Sequence, residues 1–455
     1  VVAAGPADKQ SNLKAAELIV AVGQGDEGPM VDVIGWRLDD VVDLVRGKKG
    51  TVVRLDVIPA SGRSDELRRL AIVRNEVRLE EQAAQSKVIE INDLNDIKRK
   101  IGVIDVPAFY LDFDAYRQGN PDFRSTSRDV AKLVNELNEA GVDGLVIDLR
   151  GNGGGSLREA NELTGLFIEY GPTVQIRGSG SRVWRDGKRR RGPYYDGPMA
   201  VMIDRLSASA SEIFAGALQD YGRAIVVGDQ SFGKGTVQTL LDLPEGQLKI
   251  TESKFYRISG DSTQHRGVIP DIRYPSLLQH DEIGESALDK ALDWDRISPI
   301  RHKDYGAVNT ILPTLIAKHT ERANQDPDFQ YIWDQKTLAK TIRGAETISL
   351  NQAARVELRE AQERQYLAIE NTRRIAKGLH TLASLDDLFV DTEEKGVSTQ
   401  GTDDAENGEL GADVEVEADA EADDDEQDAL ITETARILAD AINLRGPIMA
   451  RIDTP

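Results

Sequence analysis

The chain has 455 residues, of which 40% are hydrophobic, and a formal net charge of −22 at pH 7. It is long enough for two or three domains with separate cores, and its acidity argues against a nucleic-acid partner, whose backbone is bound by lysine and arginine. Cysteine is absent, which excludes a disulfide scaffold, a thiol nucleophile and a cysteine-ligated zinc site.

Residues 1–80 are predicted to form a small β-rich module. AELIVAVG, TVVRLDVIP and LRRLAIVR are strand-like, and Val33–Arg46 has the spacing of an amphipathic helix. This order resembles the second half of a PDZ domain, whose first strand and carboxylate-binding loop would precede Val1. PDZ domains bind an extended C-terminal peptide beside such a helix, and the residues expected to contact it here are Val33, Trp36 and Arg37. A purely structural module is the alternative.

The N-terminus and the apolar runs bear on targeting. The chain begins at Val1 without methionine, so we expect it to start inside a domain, and its first residues say nothing about export. No run of eighteen or more apolar residues occurs, and no membrane-spanning helix is expected.

Residues 81–280 are predicted to form an α/β core. Glu81–Asn95 is polar and expected to be connective. The stretch from Ser127 contains a helix, a buried strand GLVIDL, a glycine turn RGNGGG and a second helix, which is an α/β crossover unit. The turn is not GxGxxG and lacks the acidic residue of a dinucleotide site. The basic run Lys188–Arg191 is expected to be a solvated hairpin loop.

The stretch Ser207–Gln238 is predicted to carry the chemistry. Three serines alternate after an apolar strand and before a helix-like segment, and FGKGT follows the next strand. A serine at a strand-to-helix turn lies beside free N–H groups that hold an oxyanion, and a buried lysine can serve as its base. From spacing alone, ordinary solvent-facing side chains remain the alternative.

A nucleotide-binding loop is a rival interpretation of this stretch. GDQSFGKG matches the first part of a P-loop. However, Gly235 stands where Ser or Thr should bind magnesium, and a strand-like segment follows instead of a helix. Nucleotide binding is therefore disfavoured. His265, in a polar loop, is expected to be structural or solvent-facing.

SASASE, ALQDYGRA and GKGTVQ together resemble the carboxyl-terminal processing (tail-specific) proteases. The resemblance implies Ser209 as nucleophile, Lys234 as general base and Gln238 as the residue that orients the lysine. It further implies an oxyanion hole from the N–H of Ala210 and of a glycine in the LDLRxNxGG signature, Gly155 with Gly154 as rival. Asp220 either supports the site or packs the helix end. No metal or organic cofactor is implied.

Residues 281–455 resemble the helical C-terminal domain of the long, Gram-negative members of this family. Within them, residues 396–428 are acidic and of low complexity, with fourteen carboxylates and no basic residue between Asp403 and Asp428, and are expected to be disordered. The last helix, ALITETARILADAINL, is expected to dock on the helical domain. Support or adaptor contact is the expected role.

These features predict a mixed α/β (α+β) chain with a truncated PDZ module, a Ser–Lys protease core of ClpP/crotonase-like fold and a helical C-terminal domain. The implied function is a periplasmic serine endopeptidase acting on proteins with apolar, unstructured C-termini. The alternative is a catalytically silent module that binds such tails.

Overall fold

The computed structural model describes residues 6–11, 13, 17–36, 38–58, 67–75, 83–93, 96–178, 180, 182–188, 195–244, 246–280, 283–344, 347, 349–385, 387 and 428–445. The helices in this part are α1 (Pro6–Gln10), α2 (Leu38–Val45), α3 (Phe113–Arg117), α4 (Thr126–Glu139), α5 (Leu157–Gly165), α6 (Ala210–Asp220), α7 (Ala307–Ala323), α8 (Pro327–Arg343), α9 (Gln352–Ala376) and α10 (Ala429–Arg445). None of these described helices is long and apolar enough to cross a membrane.

The strands form three sheets. They are β1 (Leu18–Gln24), β2 (Met30–Asp32), β3 (Val52–Ile58), β4 (Arg68–Val73), β5 (Gln85–Asn92), β6 (Lys98–Asp105), β7 (Gly144–Asp148), β8 (Gly171–Gly178), β9 (Val183–Lys188), β10 (Met199–Ile203), β11 (Ile225–Gly228), β12 (Thr236–Asp242), β13 (Gln247–Tyr256) and β14 (Ile272–Arg273).

The N-terminal sheet is antiparallel, with the order β2-β1-β3-β4. The predicted strands are confirmed, but the predicted start of the helix is wrong, because α2 begins only at Leu38. Val33 instead donates its N–H to Val20 beside the sheet, and Gly35 has a φ of +79° that a helix does not allow. Val33 is buried in this sheet's core, whereas Trp36 is 48% exposed. Arg37 lies outside the described residues.

The prediction that residues 81–95 are connective is wrong. Residues Gln85–Asn92 form β5, which pairs antiparallel with β6 along its whole length. Ile89 and Ile91 point into the core and their neighbours point outward. The inward pattern covers only two apolar residues, which is too short to distinguish an edge strand from a polar loop by sequence.

The central sheet has six strands in the order β14-β11-β10-β7-β6-β5, parallel apart from β5. Its central strands are apolar throughout because both faces are covered. Along β7, Leu145 and Ile147 belong to the core under α4, α5 and α6, while Val146 belongs to a second core on the opposite face.

The second face is covered by α7 and α10. Leu438 of α10 packs against Gly144 at the start of β7, and Ala435 and Ile437 are also fully buried. The last helix contacts α7, as predicted for docking on the helical domain, and it also packs on the central sheet. Residues 388–427, most of the predicted disordered insertion, lie outside the described residues, but Asp428 is part of the ordered structure.

The third sheet is antiparallel, with the order β12-β13-β8-β9. The basic run begins on its strand β9, where the Lys188 ammonium donates to the carbonyls of Gly165 and Ile168. This lysine is therefore engaged in structure, while Arg189–Arg191 lie outside the described residues.

Because α10 completes the central core, Leu438→Ala should lower the free energy of unfolding by about 3 kcal/mol through lost burial and a cavity beside Gly144. The matched control Leu444→Ala, at a site 41% exposed on the same helix, should change it by less than about 0.5 kcal/mol. Denaturant unfolding of both variants measures the difference. Equal destabilisation would show that α10 does not pack on the sheet.

Candidate active site

Ser209 occupies a sharp turn between β10 and α6. It is the N-cap residue of α6 and has a φ of 56° and a ψ of −108°, a backbone conformation that costs a non-glycine residue about 1–3 kcal/mol. The neighbouring serines have fixed structural bonds, since the Ser207 hydroxyl donates to Leu149 O (2.8 Å) and the Ser211 hydroxyl to Asn152 O (2.9 Å). Of the three serines, Ser209 is the one in a strained turn at a helix N-terminus.

The carboxylate of Glu212 joins the Ser209 turn to the Lys234 loop. Its Oε2 accepts the N–H of Ser209 (2.8 Å) and the N–H of Lys234 (2.9 Å). Its Oε1 accepts the Ser231 hydroxyl (2.6 Å) and the Gly233 N–H (2.7 Å). The two amide nitrogens that share one oxygen can be no farther apart than the sum of their two distances to it. The serine and lysine segments therefore lie side by side.

Glu212 is fully buried, and this burial raises its pKa from 4.5 to about 7, against the opposing effect of its four hydrogen-bond donors. All four contacts donate to the carboxylate, so protonation would leave at least one donor without its acceptor. The arrangement of the site thus depends on the ionised form of this residue.

The lysine loop is held from its other side by residues 263–265. The contacts are His265 N to Gly233 O at 2.8 Å, Gly235 N to Gln264 Oε1 at 2.9 Å and Thr263 Oγ1 to Lys234 O at 3.2 Å. His265 is half-buried and, like Ser209, has a positive φ, of 63°. Lys234 is half-buried, and its side-chain nitrogen has no hydrogen-bond or ion-pair partner among the described residues. The strand β12 follows it directly, not the helix that a P-loop needs.

The glycine turn passes close to Ser209 and presents Gly155 differently from Gly154. A methyl group on Gly154 would lie 2.9 Å from Ser209 Cβ and 3.0 Å from Ala210 N. The Gly154 N–H donates to Asn152 Oδ1 (2.8 Å). Gly155 forms a parallel β-bridge with Phe109. In this bridge the Phe109 N–H donates to Gly154 O, and the Ser156 N–H donates to Phe109 O. The N–H of Gly155 itself therefore faces away from Phe109.

Two N–H groups near Ser209 thus have no acceptor in the described part of the chain. One is that of Gly155, and the other is that of Ala210, the first helical residue of α6, which has no intrahelical partner. N–H groups at a helix N-terminus also carry its partial positive charge. This pair can stabilise a negative oxygen beside the serine hydroxyl.

Asn152 and Asp204 lock the glycine turn to the serine turn. The Asn152 carbonyl accepts the Ala208 N–H (3.0 Å), and its side-chain amide donates to Val106 O (2.6 Å). The Asp204 carboxylate accepts the N–H of Gly151 (3.0 Å) and of Ser207 (3.0 Å). The loops after β7 and β10 are therefore joined by direct hydrogen bonds.

Gln238 and Asp220 lie apart from this cluster. Gln238 is exposed on β12, four residues after Lys234, and its side chain makes no hydrogen bond to that lysine in the described structure. Asp220 is at the opposite end of α6, roughly 16 Å along the helix from Ser209. It forms a partly buried ion pair with Arg257 (2.5 Å), the residue that follows β13.

Sequence reasoning missed Glu212, Asn152, Asp204 and Arg257. A signal existed for Glu212, because Ser209-x-x-Glu212 is the pattern of a helix capping box. The other three make contacts with groups remote in sequence, which no local pattern indicates. Among the described residues, no group of three His, Cys, Asp or Glu side chains is arranged to hold a metal ion.

Two family models match this chain. Residues 100–274 match the model of peptidase family S41, and residues 278–443 match that of the C-terminal domain of tail specific protease. Residues 100–274 are therefore similar to the peptidase domain of family S41. The chain is 38% identical over 405 residues to the tail-specific protease of Haemophilus influenzae. The aligned region covers 86% of this chain and 55% of that protein.

Two further relatives are more distant. The carboxyl-terminal-processing protease of Picosynechococcus sp. is 30% identical over 242 residues, 53% of each chain. The solved structure of a photosystem II D1 C-terminal processing protease has 27% identity and a TM-score of 0.42, over 60% of this chain and 66% of that one. The chain thus spans about half the length of the curated relatives it matches.

Replacing Glu212 by glutamine, a side chain of the same shape without the charge, should disable the site. In Glu212→Gln the amide offers one acceptor oxygen and an NH₂ group to four donors, so the Ser209 and Lys234 segments should separate and kcat at pH 8 should fall about a hundredfold. The control Glu370→Gln changes a buried glutamate of α9 and should leave kcat unchanged. Peptidase assays of both variants decide this.

The same residue sets a pH dependence. Wild-type activity should decline as the pH falls through about 7, and Glu212→Gln should lack this limb. The pKa of Glu212 is about 7 in the folded protein and 4.5 in the unfolded chain. Between these two pH values, folding takes up a proton. The contribution of Glu212 to stability therefore rises as the pH falls through this window. An identical acid limb in the variant would assign it to another group.

Gly154→Ala should abolish the approach of the glycine turn to Ser209. The added methyl group would collide with Ser209 and Ala210, and the φ of +101° is strained for alanine, so kcat should fall at least about a hundredfold. Gly153→Ala is the control, since a methyl there meets nothing within 4 Å, and it should stay within about twofold of wild type. Circular dichroism verifies folding, and full activity of Gly154→Ala would contradict this geometry.

Proposed function

We propose that the chain is a Ser–Lys endopeptidase that cleaves polypeptides selected by their C-terminal tails. The observation that carries this proposal is the shared carboxylate of Glu212, which binds the backbone of Ser209 and of Lys234 through one oxygen atom. A nucleophile and a base must lie within hydrogen-bonding reach of each other, and this carboxylate keeps their backbones adjacent.

The chemistry follows from the position of each group. The neutral amine of Lys234 accepts the proton of the Ser209 hydroxyl as the oxygen attacks the peptide carbonyl. The N–H groups of Ala210 and Gly155 stabilise the tetrahedral oxyanion. Lys234 then gives its proton to the leaving amine. Water, deprotonated by the same lysine, hydrolyses the acyl-enzyme and frees Ser209.

Supporting roles are assigned to two further residues. Gln238 orients the lysine side chain when a substrate is bound, a role supported by its place on the strand that follows the lysine loop. Asp220 preserves the architecture, since its ion pair with Arg257 ties the end of α6 to the end of β13. The reaction as proposed needs no metal or organic cofactor.

Substrate selection is assigned to the N-terminal module, proposed as the C-terminal part of a PDZ domain over residues 1–80. An antiparallel sheet with α2 packed beside β1 supports this, as does the name of the Haemophilus relative. We propose apolar, unstructured C-termini as the tails.

Residues 81–280 would be the protease core and residues 281–455 the helical domain, with α8 and α9 available to an adaptor. The periplasm is the proposed compartment, from the resemblance to long Gram-negative members.

The test uses an unfolded substrate that ends in small apolar residues, with EDTA present throughout. Cleavage should fall by at least about a thousandfold in Ser209→Ala and in Lys234→Ala, while tail binding persists. Lys249→Ala, at an exposed lysine of β13, is the control and should cleave normally. Wild-type protein that binds the tail without cutting it would instead indicate a silent binding module, and normal cleavage by Lys234→Ala would refute the dyad.

A further inference from the structure

The carboxylate of Asp428 has two separate tasks at the start of α10. Its Oδ1 accepts the N–H of Leu430 (2.9 Å) and of Ile431 (3.3 Å), which makes Asp428 the N-cap of the helix. Its Oδ2 accepts a hydrogen bond from Arg150 Nη2 at 2.7 Å. The two partners of this ion pair are 278 residues apart in the chain.

Arg150 begins the loop that leads to the oxyanion donors. Its N–H and Nε donate to Asp148 Oδ1 at 3.0 Å each, and its Nη2 lies 2.6 Å from Asp148 Oδ2. Asp148 is the last residue of β7 and is buried. The next residue, Gly151, is bound by Asp204 of the serine turn. Arg150 thus stands between the end of the strand and the catalytic loops.

The body of α10 lies beneath the same part of the protein. It packs on β7 and β10, the two strands whose carboxyl ends continue into the glycine turn and the serine turn. Leu438 is only 1% exposed, so the helix cannot shift along the sheet without disturbing close packing. The position of Asp428 relative to Arg150 is therefore set by the core.

We infer that Asp428 is a positioning residue for the glycine turn, through which the docked C-terminal helix holds Arg150 and the oxyanion donors in their working arrangement. For its catalytic consequence this inference rests on the proposed function. An oxyanion hole works only when its donors are already in place, and a small displacement lowers the rate of the chemical step more than substrate binding. Loss of the ion pair should therefore reduce kcat and spare KM.

Asp428→Ser isolates this contact. Serine is as good an N-cap as aspartate, so α10 keeps its start while Arg150 loses one of its two carboxylate partners. For a partly exposed ion pair we expect kcat to fall about two- to tenfold, with KM and the melting temperature unchanged. The matched control is Asp326→Ser. Asp326 caps α8 in the same way, and its carboxylate lies 3.7 Å from Arg436, away from the catalytic loops. It should leave kcat unchanged.

Hydrogen exchange provides a second readout that does not need turnover. The amide of Gly151 is hydrogen-bonded to Asp204, and those of Asn152 and Gly154 are hydrogen-bonded to Leu149 and Asn152. All three should exchange faster in Asp428→Ser but not in Asp326→Ser. Unchanged exchange and unchanged kcat in Asp428→Ser would overturn the inference. Absence of turnover in wild-type protein would count against the proposed peptidase instead, and exchange alone would then decide the role of Asp428.

Discussion

One buried carboxylate organises the active region. Glu212 stands in the first turn of α6 and accepts hydrogen bonds from two stretches of chain that meet there. Burying a carboxylate is costly unless its oxygens are satisfied, so the Ser209 turn and the Lys234 loop must stay in place for the fold to tolerate it. The cost of burying this charge therefore also keeps the Ser209 and Lys234 segments close together. The strained backbone of Ser209 persists because this bond holds it.

The helix that carries this carboxylate is fixed at both ends. Glu212 ties its start to the lysine loop, and the ion pair of Asp220 with Arg257 ties its end to β13. Because β12 follows Lys234 and pairs with β13, both ties join α6 to the same hairpin. Asp220 thus lies at the end of α6 away from Ser209, and its ion pair fixes that end of the helix.

The second organising constraint is the two-sided central sheet. Parallel strands are apolar on both faces and must be covered on both. Here α4, α5 and α6 cover one face, and α7 and α10 from the C-terminal region cover the other. The C-terminal helices thus complete the core of the protease sheet. The glycine turn and the Ser209 turn of the candidate site extend from the carboxyl ends of β7 and β10, the usual place for functional loops in such sheets. Packing beneath those strands therefore bears directly on the candidate site.

The sequence by itself determined the local features: the buried strands, the serine turn before α6, the glycines at Gly154 and Gly155, and Lys234 between glycines. Each has a short-range pattern, and together they identified the family and the candidate catalytic pair. Only the tertiary structure decided that β5 is a strand, that α2 starts at Leu38, that α10 covers the sheet, and that Glu212 joins the two catalytic segments. It also showed that the Gly154 N–H is bound by Asn152 and that Asp428 pairs with Arg150. These outcomes depend on hydrogen bonds and packing between residues far apart in the chain, and periodicity and motif spacing report only on neighbours.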